Sequence, residues 1–248
     1  MIIVDIARNE LRRFYLSPLA WIMLAFVQLI LAIVFYYHLS VYLENQSLLS
    51  RIGITEFVSV GMLNSAGILL VVISPFLTMR LFSEEQRSKT ISLLFSSPIS
   101  ITSLVLGKYL AVVLFFTSML FMIALLPLSL IVETKADTGL MLSGMLGLSL
   151  LMLSDAAIGL FMSTLSRNPG IAAISTFVVL FVFWIIHMAS NSDNDRVAEI
   201  IGYLSMQRHY QNMVSGMFSS TDVVFYLLLS SIFVLLSIWQ LKNIRAYH

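Results

Sequence analysis

The sequence predicts an all-α membrane protein with six transmembrane helices, and three observations carry that expectation. Of 248 residues, 59% are hydrophobic and only 11% charged, against roughly 25% charged in soluble domains. The mean hydropathy is +0.95. Six apolar runs are long enough to cross a bilayer core, which takes a helix of about 20 residues. A single integral domain over 1–248 is the simplest organisation. The net charge of +1 gives no nucleic-acid signal, and the lack of Cys excludes disulfides and thiolate metal sites.

Residues 1–17 place Ile2, Ile3, Ile6, Leu11, Phe14 and Tyr15 among Asp5, Arg8, Glu10, Arg12 and Arg13. That pattern predicts an amphipathic helix at the bilayer surface. The alternative is a plain charged flank that orients the first span. Asp5 and Glu10 interrupt the segment, so a cleaved signal peptide is not expected. Ser17-Pro18 ends it. The spans are then predicted at 18–41, 57–79, 101–132, 138–165, 170–189 and 223–241. The third carries Pro127 near its far end, and the fourth carries Gly144, Gly147 and Gly159. Small residues permit close helix packing, so the fourth span is expected at a protein interface.

Between spans two and three lies FSEEQRSKTISLLFSSPIS, the longest charged interval in the first half of the chain. Ser83 with Gln86 fits a capping box. Glu84 and Glu85 would sit at the dipole-favoured helix start. Pro98 restricts Ser97 and should stop the helix. The reading is one short amphipathic helix over 82–97, with Leu93, Leu94 and Phe95 as its apolar part.

Lys and Arg placement gives the orientation. With the N-terminus inside, the cytoplasmic side holds Arg8, Arg12, Arg13, Arg80, Arg87, Lys89, Lys108, Arg167, Lys242 and Arg245. The other side holds Arg51, Lys135, Arg196 and Arg208. This excess predicts both termini in the cytoplasm. The segment 190–222 opens as a loop, SNSDND, then Val197, Ile200, Ile201 and Leu204 recur at helical spacing. Re-entrant helices in the outer leaflet or a small extracytoplasmic cap would both fit.

Asp155 is the acid placed well inside a predicted span, and such acids are costly and often functional. Its bland reading is a structural Asp at a protein interface or an aqueous cavity. Met206, His209 and Met213 share a helical face, a set that suits Cu(I). Met also fills apolar gaps, and the chain has 14 of them, so packing is the preferred reading. His38 and His187 are expected near the outer interface. There is no Walker loop, HExxH or GxSxG, and no enzyme active site is expected.

These residues resemble the membrane subunits of ABC-2-type transporters. The segment between spans two and three is similar to the family's E-E-x-R-x-x-T-x-x-L-L-x-x-S-P, here Glu84, Glu85, Arg87, Thr90, Leu93, Leu94, Ser97 and Pro98. A second match runs from Gly159 through Ser163 and Ser166 to Asn168. A third is the tail Leu204-Ser205, His209-Tyr210-Gln211-Asn212, Gly216 and Asp222, which resembles permeases of the gliding-motility type. Asp155 departs from the family, which is usually small or apolar there. Gln207-Arg208 stands where the gliding-type tail often has Pro.

The resemblance implies a permease without catalytic, cofactor or metal residues of its own. ATP and Mg would bind a separate cytoplasmic ATPase, in two copies. The coupling helix that docks it would present Glu84, Glu85, Arg87, Thr90, Leu93, Leu94, Phe95 and Pro98. Two permease chains would enclose a path between spans one, two and five, in a bacterial inner membrane. The expected function is ATP-driven export. The alternatives are a mechanotransmitter acting on a periplasmic accessory protein, and a secondary transporter using Asp155.

Overall fold

A computed structural model describes residues 2–46, 53–91, 99–133, 137–189 and 202–246, the side chains of 131–133 and 187–189 apart. Among the described residues every regular element is a helix. In chain order these are α1 (Ile2–Leu16), α2 (Pro18–Glu44), α3 (Ile54–Thr78), α4 (Ser83–Arg87), α5 (Ile101–Glu133), α6 (Thr138–Leu165), α7 (Pro169–Ala189), α8 (Met206–Val214) and α9 (Ser220–Ala246). Six of them, α2, α3, α5, α6, α7 and α9, are long and apolar enough to cross a membrane.

The bundle is organised around α6, which packs against α3, α5, α7, α8 and α9. Its start is fixed by Asp137, whose carboxylate accepts from the amides of Gly139 and Leu140, satisfying free first-turn donors. Its small residues are used for close helix packing within the chain. A Cβ on Gly144 would meet Leu63, and one on Gly147 would meet Met213. Side chains from α3 and α8 therefore occupy the space those glycines leave.

α1 packs along α5. Ala7 is buried, Phe14 stacks on Phe115 with ring centroids 5.3 Å apart, and Ile6 rests against Gly107. The N-terminal helix is thus fastened to the third span by its apolar face.

The last span begins at Ser220 rather than Val223, because Ser219 turns the chain into it. The Ser219 carbonyl accepts from the Asp222 amide at 3.1 Å. The helix continues past Leu241 to Ala246, carrying Lys242 and Arg245 at the end where cations suit the dipole. Ser154 Oγ lies 3.4 Å from the Tyr226 carbonyl, which sets the register of α6 against α9. At about 1.5 Å per residue, α9 starts about 15 Å deeper than α6 does.

The predicted helix over 82–97 is not continuous. α4 ends at Arg87, and Lys89 takes a left-handed φ of 58°, a conformation that L-residues adopt singly and that interrupts a helix. The expected capping box is also absent. Ser83 Oγ bonds back to the Met79 carbonyl, and Gln86 Nε2 donates to the Thr164 carbonyl at 2.8 Å. Neighbouring backbone therefore takes both side chains away from the helix start. Leu93, Leu94, Phe95 and Pro98 lie outside the described residues.

Candidate functional site

The sequence marks α4 as the functional element, and two devices fix it to the bundle. The first is Lys108, about two turns into α5. It is 2% exposed because α1, α4 and the turn after α3 close over it. Its Nζ donates to Glu85 Oε1 at 2.7 Å, to Glu10 Oε1 at 3.0 Å and to the Leu81 carbonyl at 2.6 Å. It also lies 5.0 Å from the centre of the Phe82 ring. An ammonium has three donors, and all three are used. A buried cation is tolerated only when paired and bonded in this way. One side chain thus joins the N-terminal helix, α4 and the third span.

The second device is the end of α6. Ser163 Oγ accepts from the amides of Phe82 at 2.8 Å and Ser83 at 3.1 Å, the donors that α4's start leaves free. One turn earlier, Gly159 lies against the side chain of Thr78, with no space for a Cβ. Ser166 Oγ accepts from the Asn168 amide, and Asn168 Oδ1 accepts from the Gly170 amide, turning the chain into α7. The Gly159–Asn168 segment picked out in the sequence is therefore the bracket that holds α4.

Of the residues proposed for docking, Glu85 turns inward to Lys108. Glu84, Arg87 and Thr90 are exposed. Thr90 Oγ1 lies 2.9 Å from Ser88 Oγ, in the turn that follows α4. Two clefts flank the element. One of about 650 Å³ runs between α1, the ends of α2 and α3, and α4, with Phe14, Leu19, Phe76 and Arg80 among its walls. The other, of about 600 Å³, lies towards the α6–α7 turn, with Arg87, Asn168 and Pro169. Lys108 was legible in the sequence only as one more positive charge. Its place inside an apolar run was the signal that it needed partners.

Asp155 stands apart from α4. It is 1% exposed, on α6 facing α3, where Ser74 Oγ lies 3.4 Å from Oδ2. Gln207 of α8 and Trp184 of α7 line the same small gap. It therefore faces the interior of its own chain.

The tail residues build α8 into the bundle. Ser205 caps it by accepting from the Arg208 amide. Tyr210 is buried against Gly67, and its hydroxyl donates to the Leu63 carbonyl at 2.5 Å. Ser143 Oγ donates to the Met213 carbonyl and Tyr226 OH to the Met206 carbonyl, both at 2.7 Å. His209 Nδ1 lies 2.5 Å from Asp222 Oδ1, and its ring stacks on Phe225 at 4.3 Å. The histidine of the possible copper set thus bonds a carboxylate at one nitrogen, and its Nε2 lies 3.1 Å from the Tyr203 carbonyl. No group of His, Asp and Glu residues able to hold a metal ion occurs among the described residues. Of the two expected outer histidines, His38 rests against Gly61 and Phe57 near the far end of α2. The side chain of His187 lies outside the described residues.

No curated protein matches the chain. The profile of the ABC-2 family transporter proteins matches residues 4–243, and that range takes in α4, its lysine anchor and its bracket from α6. With six apolar helices and this match over nearly its whole length, the chain belongs to the ABC-2 transporter family and is a membrane permease component of an ABC transporter.

Proposed function

We propose that the chain is the permease of an exporter in the bacterial inner membrane, driven by a separate cytoplasmic ATPase that docks on α4 and the residues following it to 97. Both termini then lie in the cytoplasm. ATP and Mg belong to the ATPase. Two permeases and two ATPases make the working unit, with the substrate path between spans one, two and five. The observation that carries this reading is the Lys108 anchor. A docking element that must transmit force needs a stiff connection to the spans, and Lys108 ties α4 to α1 and α5 within hydrogen-bonding distance.

A second reading, mechanical action on a periplasmic accessory protein, is favoured by Met217 and Phe218. Both are exposed at the turn between α8 and α9, on the side where such a partner would sit.

The test is co-purification of the ATPase with Leu94→Ala/Phe95→Ala permease and with wild type, at equal membrane levels. Burying a Leu or Phe side chain is worth roughly 1.5–3 kcal/mol, so losing both weakens docking by about 3–6 kcal/mol if both are buried. Bivalent attachment hides part of this loss. Unchanged recovery with unchanged ATPase coupling would exclude this segment as the docking element.

A further inference from the structure

The contact between α8 and α9 needs more protons than a neutral histidine carries. His209 Nδ1 lies 2.5 Å from Asp222 Oδ1, and Nε2 of the same ring lies 3.1 Å from the Tyr203 carbonyl. Both ring nitrogens therefore face oxygens. The carbonyl can only accept, and a neutral imidazole donates from one nitrogen alone. Two hydrogens must serve the two contacts. The pair is complete only as an imidazolium with a carboxylate, or as a neutral ring with a carboxylic acid. The proton count is the same either way, and it belongs to the pair. Taking one proton away sets two lone pairs against each other at one of the contacts. His209 and Asp222 are 5% and 2% exposed, so bulk water does not fill the missing bond.

The groups packed around the pair do not replace that proton. On α8 itself, Arg208 is exposed and turns back over Gly202, and the Tyr210 hydroxyl is spent on the Leu63 carbonyl. On α9, Tyr226 meets the His209 ring edge-on, with its hydroxyl spent on the Met206 carbonyl. At the start of α6 stands Asp137, engaged by first-turn amides, and further along is Asp155, which faces Ser74. α3 carries the exposed Glu56, and the described side chains of α7 carry no charge. Asp222 Oδ2 has no donor among the described residues, so no second cation holds that oxygen. Phe225 covers one face of the imidazole at 4.3 Å.

We propose that the His209–Asp222 pair is a proton-operated latch: α8 is seated while the pair holds two protons and is released when the pair loses one. The seated helix keeps Tyr210, Met213 and Val214 inside the bundle. The sign follows from the count. A seated α8 binds one proton more than a released α8 whose imidazole is free to lose it. Rising pH therefore favours release, by up to about tenfold in the equilibrium per pH unit. The latch is at full strength below about pH 6.5 and weakens above it, where a free imidazole is neutral. With both termini in the cytoplasm, as proposed above, the latch answers to the pH of the opposite side. The latch itself requires neither that orientation nor ATPase docking nor export.

The experiment uses the full chain, whose lack of cysteine lets spin labels be placed at two chosen sites. Ser215→Cys marks the end of α8 and Leu165→Cys the end of α6, both exposed. Labelled chain is diluted with unlabelled chain in detergent, so that each pair reports on one copy. Label distances are compared at about pH 6 and about pH 9, on either side of the ordinary imidazole range. The expected result is one main distance at the lower pH and a second population at the higher, increased at least about tenfold. Asp222→Asn should keep α8 seated at both pH values, because its amide can donate to Nδ1 while the neutral ring donates from Nε2 to Tyr203. Identical distances at the two pH values with His209 and Asp222 both in place, a comparison that needs no latch variant to fold, overturn the proposal. So does a pH response of the same size in Asp222→Asn, which would assign the proton to another group. Release at the lower pH and seating at the higher would reverse the sign and overturn it as well.

Discussion

Lys108 Nζ lies 2.7 Å from Glu85 Oε1, across the junction between a membrane span and the short helix α4. The same ammonium reaches Glu10 at 3.0 Å. Movement of α4 relative to the third span or to α1 must therefore stretch an ion pair that is nearly closed off from water.

Lys108→Met should leave two carboxylates facing an apolar space. Breaking a buried pair this way costs about 3–5 kcal/mol. A lower melting temperature in detergent and weak ATPase stimulation are expected. Replacing all three charges, Lys108→Met with Glu10→Leu and Glu85→Leu, should recover most of the melting temperature but not the stimulation. Wild-type melting of the single variant would refute the anchor.

Gly159→Ala should push its new methyl into Thr78, whose Oγ1 is engaged by the Ser74 carbonyl at 2.8 Å. Overpacking of this kind costs about 1–3 kcal/mol. Thr78→Gly in the same chain should return part of the loss. A single variant as stable as wild type would show that α3 and α6 are not in the close contact described.

His209→Phe keeps a ring on Phe225 but leaves Asp222 with both oxygens unpaired, since Oδ2 already lacks a donor among the described residues. Asp222→Asn keeps an acceptor for His209. Hydrogen bonds to charged groups are worth about 1.5–3 kcal/mol, so hydrogen exchange in α8 should speed up much more in the first variant than in the second. The opposite order would contradict the pairing.

Asp155→Asn preserves the acceptor that faces Ser74 and should leave transport and ATPase stimulation within a few-fold of wild type. A large loss at normal expression, together with a shifted pH profile, would support ion coupling at this carboxylate instead.

The spans were readable because lipid demands long apolar helices whose backbone bonds are internal. The start of the last span was less so, since it is set by the local bonds of Ser219, whose carbonyl accepts from the Asp222 amide and whose hydroxyl accepts from the Thr221 amide. The interruption at Lys89 was not readable. Ser83 and Gln86 satisfy a local capping rule, yet Met79 and Thr164 recruit them, and Thr164 is 78 residues away. For the same reason the charge count registered Lys108 but not its partners on two other helices. The motif from Gly159 to Asn168 was visible as a pattern, but its purpose emerged only once Ser163 was seen to hold the amides of Phe82 and Ser83.

The late start of α9 divides the molecule into two unlike halves. On the α1 side the six crossings are continuous helices, and opening that half means bending or sliding whole helices. On the far side α8 stands in the missing length like a stopper. It is held by the Tyr210, Tyr226 and Ser143 hydroxyls on carbonyls of Leu63, Met206 and Met213, and by the His209–Asp222 pair. Each neutral bond of this type is worth about 1 kcal/mol net. The far half can open by breaking these bonds and exposing Tyr210, Met213 and Val214, without unwinding any span.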